Sequence, residues 1–344
     1  MSARLLIVLL SQQGYWFGGQ EGAISVQWVL ERDQPEAVLV WQVALGDLQL
    51  SGGQVALAKG DGAARLQMTL PEVRVRTLMQ WRYQLLHRGD GRVLAKGEAA
   101  LHVFPNDVLA GLAELAAGRR VVVWDTEGRL SDVLSEAGVA IRRLRAGSEL
   151  QLTRADVILV AADEINTAAG SFSQVPLVGQ AEAGAGVMIF AQPKAKVLAG
   201  YGLARRALPT TMRWRHEHPL LGRFGPGDLS SWLAGPPMTL PSVQLPADEP
   251  AYEIAYWPPE VAGDAPVAID ALLVTKTVGV GRIVLCQIPL GPWATDPRSQ
   301  MLLANAVRYL LTRPVPMLPP SRRLSAASQP QREPAMILLP GGAS

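Results

Sequence analysis

Apolar and polar residues alternate with a period of two along the first hundred residues of the chain. The runs from Ile24 to Leu30 and from Trp81 to Leu85 show this alternation, and turn-forming glycines such as Gly52-Gly53 separate successive runs. Neighbouring side chains of a strand point to opposite faces of a sheet, so the pattern predicts strands with one buried face. Short strands at this spacing predict an immunoglobulin-like β-sandwich without a disulfide, over residues 1–104.

The pattern changes after Pro105, where short apolar runs alternate with segments of helical period. Predicted strands at 120–124, 139–144, 156–161 and 187–191 are interspersed with predicted helices, among them one whose apolar face includes Leu130 and Leu134. Strands that alternate with helices favour a mostly parallel sheet covered on both faces. We therefore expect residues 105–313 to form a doubly wound, flavodoxin-like α/β domain.

The clearest single unit lies between Val278 and Arg313. A buried strand is predicted over 282–288, and Asp296 is a good N-cap for a helix with Pro297 at its first position. The apolar face of that helix includes Leu303, Val307, Leu310 and Leu311, and Pro314 ends it. This strand and helix are expected to close the α/β domain.

Three segments depart from these patterns. Residues 200–266 are rich in proline and tryptophan with weak periodicity, which predicts an irregular insertion with some strands of its own. Residues 314–344 have the composition of a flexible tail. The apolar run Leu5 to Leu10 is too short to span a membrane and lacks a cleavage pattern, so an edge strand or the start of a longer chain is favoured over a signal peptide. We predict no transmembrane segment, and both a cytoplasmic and an exported location stay open.

Composition and charge narrow the function. The chain has 344 residues, enough for two domains, and its formal net charge of +2 equals the excess of three arginines over one glutamate after residue 313. The remainder is neutral overall, which excludes a basic nucleic-acid-binding surface as the default. The one cysteine, Cys286, lies within the predicted closing strand, where a core role is favoured over a nucleophile. No sequence pattern indicates a cofactor.

Candidate catalytic residues lie where the predicted parallel strands end, because ligands of open α/β sheets bind beyond the carboxyl ends of their strands. These candidates are Asp125, Asp163 and Glu164. Acidic side chains there would suit a carboxylate- or metal-dependent hydrolase. Polar residues at strand ends also serve solvation and helix capping, and that structural interpretation is the favoured one.

Other candidates for ligand contact are aromatic or imidazole side chains in the irregular segments. They are Trp214, His216, His218, Trp232, Trp257 and Trp293. Flat aromatic faces suit sugar binding, and packing between the two domains is an equally good explanation. His216 and His218 are spaced to point the same way in an extended segment, but no nearby cysteine or third histidine accompanies them. Asp228 or Glu217 could contribute a ligand, yet a structural loop contact is favoured, and we predict no metal site.

Several segments taken together resemble a known family. They are Arg119–Asp125, Asp156–Val160, Gly186–Gln192, His218–Phe224, Gly279–Leu285 and Leu302–Tyr309. They resemble the class I glutamine-amidotransferase-like fold in the degenerate form found in large bacterial proteins related to glycoside hydrolase family 2 and β-galactosidases, where a β-sandwich also precedes it. The resemblance implies that the nucleophilic cysteine is missing, because Ala161 to Asp163 occupy its turn. The glycosidase activity of the larger proteins is not expected here, because their catalytic carboxylates belong to a (β/α)8 barrel that this length and pattern cannot contain.

These expectations combine into one predicted function. We expect a non-catalytic accessory or scaffold protein of a glycoside-hydrolase-like system, in which a pseudo-enzyme domain and a sandwich make assembly contacts. The partner would be another protein or a second copy of the chain, with carbohydrate as a further contact. The alternative is a metal- or carboxylate-dependent hydrolase with its site at the carboxyl edge of the α/β sheet.

Overall fold

The structure is a computed structural model, and it describes residues 6–9, 14–30, 36–58, 60–165, 175–207, 212–232, 239–246, 251–257 and 268–312. The predicted tail at 314–344 lies outside these residues, as do parts of the predicted insertion at 200–266. The following description concerns the described residues.

The first eight strands form two sheets. One sheet has the order β1-β3-β6 and the other has the order β2-β8-β7-β4-β5. Their bounds are β1 Leu6–Leu9, β2 Tyr15–Phe17, β3 Glu21–Leu30, β4 Ala37–Leu45, β5 Leu48–Leu57, β6 Gly60–Thr69, β7 Thr77–His87 and β8 Val93–Phe104. Inward-facing residues of both sheets, including Val26, Leu39, Trp81 and Val103, share one core. The β-sandwich that the period-two pattern predicts is therefore present.

An eleven-stranded sheet follows, and one side of it is parallel. The neighbouring strands β10-β9-β11-β12-β19 all pair in parallel. Their bounds are β9 Val121–Trp124, β10 Ile141–Leu144, β11 Val157–Val160, β12 Gly186–Ile189 and β19 Gly281–Cys286. β9, β11, β12 and β19 are buried at every position, as their continuous apolar runs predict.

The other side of this sheet is antiparallel. The strands β13 to β18 continue the sheet beyond β19, and all their pairings are antiparallel. Their bounds are β13 Val197–Leu198, β14 Tyr201–Ala207, β15 Arg213–Trp214, β16 Thr239–Leu245, β17 Tyr252–Tyr256 and β18 Ile269–Val278. Strands within 200–266 thus belong to the same sheet as the parallel strands.

Among the described residues the α-helices are few, and only one exceeds eight residues. They are α1 Leu112–Leu115, α2 Arg129–Glu136, α3 Val175–Glu182, α4 Pro226–Trp232 and α5 Pro297–Leu311. The prediction for α5 is confirmed: Asp296 is its N-cap, accepting a hydrogen bond from the Arg298 backbone N–H at 3.0 Å, with Pro297 at the first turn.

The predicted fold class, an all-β sandwich followed by a doubly wound α/β domain, is wrong in its second part. Strands account for 46% of the structure and helices for 19%, and the second sheet is mixed, with its antiparallel strands outnumbering its parallel ones. The sequence analysis did not resolve the strands within 200–266, because bulges and prolines interrupt their alternation of apolar and polar residues. β17, for example, has register shifts against β18.

The two sheet systems meet at a polar and aromatic junction. Arg76, which precedes β7, donates two hydrogen bonds to the buried carboxylate of Asp228 in α4, at 2.6 and 2.5 Å. The Arg298 guanidinium of α5 lies 4.2 Å from the ring centroid of Tyr15, and that ring stacks on His102 at 4.8 Å. The sandwich and the mixed sheet therefore share specific charged and aromatic contacts.

Candidate functional site

A cleft of about 630 Å³ opens beside the carboxyl ends of β9 and β11. Its walls are the first two turns of α2, the turn after β11 and the loop from Ile288 to Ala294. Asp125, Asp163 and Glu164 all line it, together with Trp293. The structure thus places the three acidic candidates in one cleft, and none of the described residues of 200–266 lines it.

Asp125 follows β9 and is buried, with 2% of its surface exposed. Its two carboxylate oxygens accept hydrogen bonds from the backbone N–H groups of Gly128 at 2.9 Å and Ser131 at 2.8 Å. These donors belong to the first turn of α2, whose N–H groups have no partner within the helix. Asp125 therefore anchors the start of α2 to the end of β9.

Glu164 performs a similar task on the neighbouring loop. One of its oxygens accepts a hydrogen bond from the Thr126 backbone N–H at 2.6 Å, and the other accepts from the Thr126 hydroxyl at 2.7 Å. Both oxygens are thereby used to join the turn after β11 to the turn after β9.

Asp163 differs from the other two acids because its carboxylate reaches solvent. Its side chain is 53% exposed, and its nearest cation is the Lys194 ammonium at 3.6 Å. Its backbone has φ of 64°, in the left-handed region that non-glycine residues adopt rarely. The turn is held by a hydrogen bond from the Asp163 N–H to the Ala191 carbonyl at 3.0 Å.

Four further charged residues of the cleft come from α2 and the residue before its N-cap, and sequence analysis missed them. They are Glu127, Arg129, Asp132 and Glu136. The signal for them was the polar face of the predicted helix, which alone does not show that it borders a cleft. Arg129 pairs with Glu127 at 2.9 Å. Acidic residues outnumber basic ones in the cleft lining, so the cleft carries an excess of negative charge.

His218 is buried and forms part of the fold. Its Nδ1 accepts a hydrogen bond from the Leu220 backbone N–H at 3.2 Å, and its ring lies between those of Tyr252 and Tyr309, with centroids at 5.4 and 5.0 Å. Burial lowers the pKa of His218 to about 4, so the imidazole is neutral at pH 7. It does not line the acidic cleft.

His216 is exposed, whereas His218 is buried, so the two rings occupy different environments. In the part of the chain that the structure describes, no group of three or more histidine, cysteine, aspartate or glutamate residues is arranged to hold a metal ion.

Of the tryptophan candidates, only Trp293 borders the cleft. It is partly exposed and meets the Phe190 ring edge-on at 5.2 Å. Trp214 and Trp257 pack against the core beneath the mixed sheet, and Trp232 is 7% exposed at the junction with the sandwich. These tryptophans therefore do not form a shared platform.

Cys286 is fully buried in β19. Burial raises the pKa of its thiol to about 12, so the thiol stays protonated at physiological pH. This supports its interpretation as a core residue.

No family model matches the chain, and no relative was found among characterised protein sequences. The predicted resemblance to glutamine-amidotransferase-like proteins is wrong, because the predominantly β, mixed architecture contradicts it. Most of the segments that carried it are short buried strands or part of a helix, and such elements are common to many folds.

Comparison with solved structures gave weak likenesses. The CARDB domain of the PF1109 protein from Pyrococcus furiosus is 8% identical, with a TM-score of 0.22, covering 30% of this chain and 94% of that one. A β-glucosidase from Listeria innocua is 12% identical, with a TM-score of 0.22 and coverage of 30% and 16%. A cycloisomaltooligosaccharide glucanotransferase from Paenibacillus is 9% identical, with a TM-score of 0.25 and coverage of 77% and 33%.

Carbohydrate-active enzymes occur among these structures. At these TM-scores they argue for neither a fold nor a function. Among the described helices, none combines the length and apolar character needed to cross a membrane.

Proposed function

We propose that this protein is a non-catalytic binding and assembly protein of a glycoside-hydrolase-like system, and that the cleft beside α2 contacts carbohydrate. The observation that carries the proposal is the use of the cleft carboxylates. All four carboxylate oxygens of Asp125 and Glu164 accept hydrogen bonds, three of them from backbone N–H groups and one from a hydroxyl. Asp163 is the one of the three acidic candidates whose side chain is exposed.

Glycoside hydrolysis by the usual route needs two carboxyl groups, one as acid and one as base or nucleophile. Among the three strand-end candidates only Asp163 has an exposed side chain, so these candidates do not supply the pair. The other exposed carboxylates of the cleft, those of Glu127, Asp132 and Glu136, lie on or beside α2, and Glu127 is paired with Arg129. No histidine lines the cleft as an alternative acid or base. Binding of a sugar, by contrast, does not require a pair of catalytic carboxyl groups. The partly exposed Trp293 offers an apolar face, and the acidic rim offers acceptors for sugar hydroxyls.

Titration with short oligosaccharides, followed by tryptophan fluorescence and calorimetry, tests the proposal. We expect saturable binding by the wild type and at least about tenfold weaker binding by Trp293→Ala, the loss of one stacked aromatic face. Leu152→Ala is the control, since it truncates an apolar side chain that is 90% exposed outside the cleft. Absence of binding by the wild type across neutral and acidic oligosaccharides contradicts the proposal.

The second candidate is the hydrolase, and the backbone of Asp163 favours it. A non-glycine residue held at positive φ on a cleft wall is a form of local strain that clusters at functional sites. If Asp163 acts as a catalytic carboxylate, incubation with oligosaccharides releases reducing sugar and Asp163→Asn abolishes that release. The binding proposal predicts no release from either protein.

A further inference from the structure

Exposed carboxylates dominate the charge of the acidic cleft. Four of its lining residues carry them: Glu127, Asp132, Glu136 and Asp163. Arg129 is the one basic residue of the described lining, and it pairs with Glu127. Lys194, from outside the lining, pairs with Asp163 at 3.6 Å. Asp132 and Glu136 are thus the exposed carboxylates of the cleft to which the described residues supply no ion pair.

The helix α2 holds these two side chains where its own electrostatics disfavour them. Asp132 and Glu136 are four residues apart, so they are neighbours on one face of the helix and their charges repel. Glu136 is also the last residue of α2, at the end where free carbonyl groups carry partial negative charge, and the last turn of α2 contains no basic residue. A cation bound in the cleft would relieve both repulsions.

The arrangement of the carboxylates suits an organic cation better than a metal ion. A metal ion needs several ligands that converge on one point. Within the described residues, no group of three or more acidic, histidine or cysteine side chains is arranged in this way. At a rise of about 1.5 Å per residue, Asp132 and Glu136 are instead about 6 Å apart along the axis of α2. Their charges are therefore spread along a wall of the cleft.

The loop from Ile288 to Ala294 adds an apolar surface to the same cleft. Trp293 is partly exposed, and Leu290 and Pro292 line the cleft beside it. An indole face covers the apolar surface of a sugar ring, and it also attracts a cation placed within about 6 Å of its centroid. A ligand that combines a sugar ring with an ammonium group can therefore use both the apolar loop and the acidic helix.

We propose that the cleft prefers carbohydrates with free amino groups, of the glucosamine type, whose ammonium groups pair with Asp132 and Glu136 and whose rings contact Trp293. This inference rests on the proposed function, since it names the class of sugar that the cleft selects. An ammonium group brings a positive charge as well as hydrogen-bond donors, and charge-assisted hydrogen bonds to carboxylates are the stronger ones. Neutral sugars offer donors without charge, and the carboxylates of acidic sugars are repelled.

Calorimetric titration with three oligosaccharides of equal length tests the inference. They are a glucosamine oligomer, its fully N-acetylated form and an oligogalacturonate, at a mildly acidic pH where free amines are protonated. Acetylation removes the charge and keeps the ring, so the first two form a matched pair. We expect the wild type to bind the glucosamine oligomer at least about tenfold more tightly than the N-acetylated form, and the oligogalacturonate least tightly. Added salt should weaken the glucosamine complex and leave the N-acetylated one unchanged.

The variant Asp132→Asn with Glu136→Gln removes the two charges, while its amide oxygens still accept hydrogen bonds from hydroxyls. We expect its preference for the glucosamine oligomer over the N-acetylated form to fall to less than about twofold. The matched control is Asp47→Asn with Glu182→Gln, which removes the same charge at two exposed positions outside the cleft. It should keep the wild-type preference. Circular dichroism and thermal melting check that each variant is folded.

The possible failures are distinguishable. If the wild type binds the N-acetylated oligomer as tightly as the glucosamine oligomer, this inference is overturned and the proposed function stands. If it binds none of the three sugars, both are overturned. The formal net charge of the chain is +2, so attraction of a cationic sugar has to come from a local acidic surface. An equal loss of preference in the control variant would place that surface outside the cleft and would also overturn the inference.

Discussion

At the scale of single residues, the sandwich depends on glycines that lie beneath aromatic rings. A Cβ added to Gly62 would lie 2.3 Å from ring atoms of Trp28, which is paired with it across β3 and β6. The absence of a side chain on one strand makes room for a large side chain on its neighbour. The same arrangement recurs in two further cross-strand pairs, Gly53 with Trp41 and Gly97 with Tyr83. Gly22 makes room in the same way for Trp16 of the other sheet.

We expect Gly62→Ala to destabilise the protein by about 1–3 kcal/mol, because the new methyl group overlaps a buried indole that must shift. Urea unfolding measures the change. Gly179→Ala is the control: it adds the same methyl group to the exposed face of α3, where nothing lies within 4 Å, and should stabilise by up to about 1 kcal/mol. Equal effects of the two substitutions would show that packing against Trp28 is unimportant.

At the scale of elements, α5 shows the closest agreement between sequence pattern and structure. Its N-cap, its proline and its buried face all follow from local sequence. The Asp296 carboxylate has a second task that no local pattern reveals: it pairs with the buried Arg298 guanidinium at 3.1 and 3.2 Å. Capping and charge pairing at this helix start therefore depend on one side chain.

Replacing Asp296 separates these two contributions. We expect Asp296→Ala to lower the free energy of unfolding by on the order of 3 kcal/mol, because it removes the cap and a buried charge partner of Arg298. Asp296→Asn retains an acceptor for the Arg298 N–H and should recover about 1 kcal/mol of that loss. Chemical denaturation of the three proteins measures both differences. If alanine and asparagine prove equivalent, the capping hydrogen bond contributes nothing.

At the scale of the whole molecule, the ion pair of Arg76 and Asp228 joins the sandwich to the mixed sheet. Arg76 also lies 3.0 Å from Nδ1 of His102, and since the guanidinium can only donate, that nitrogen accepts and the imidazole is neutral. Burial lowers the pKa of His102, with the Arg76 charge adding to the effect. The stability contributed by this neutral ring is present above its unfolded pKa and declines as the pH falls below about 6.5.

We expect Arg76→Ala to uncouple the two sheet systems, because it leaves the Asp228 carboxylate, which is 1% exposed, without the Arg76 guanidinium. Calorimetry should then resolve two melting transitions where the wild type shows one. Arg82→Ala is the control, since Arg82 lies on the exposed face of β7 and its ion pair with Glu98 is at 4.0 Å; it should change stability by less than about 1 kcal/mol. A single cooperative transition in Arg76→Ala would show that other contacts maintain the coupling.

The candidate site was predictable to the extent that it depends on strand order. Asp125 and Asp163 follow buried strands, and the parallel pairing of β9 with β11 brings them to one edge. The histidine and tryptophan candidates were chosen for residue type alone, and most of them lie in the core or at the junction. Only the structure shows that Asp125 and Glu164 bind backbone groups, because their partners belong to loops that tertiary contacts position.

The sequence by itself determined the local elements: the alternating strands of the sandwich, the strands β9 to β12 and β19, and α5 with its cap. These follow from periodicity and capping, which act over a few residues. The tertiary structure decided the mixed sheet, the cleft, the junction of Arg76 with Asp228, and which edges of the sandwich stay open. Those features join residues that are far apart in the chain, and no local pattern specifies which strand pairs with which or in what direction.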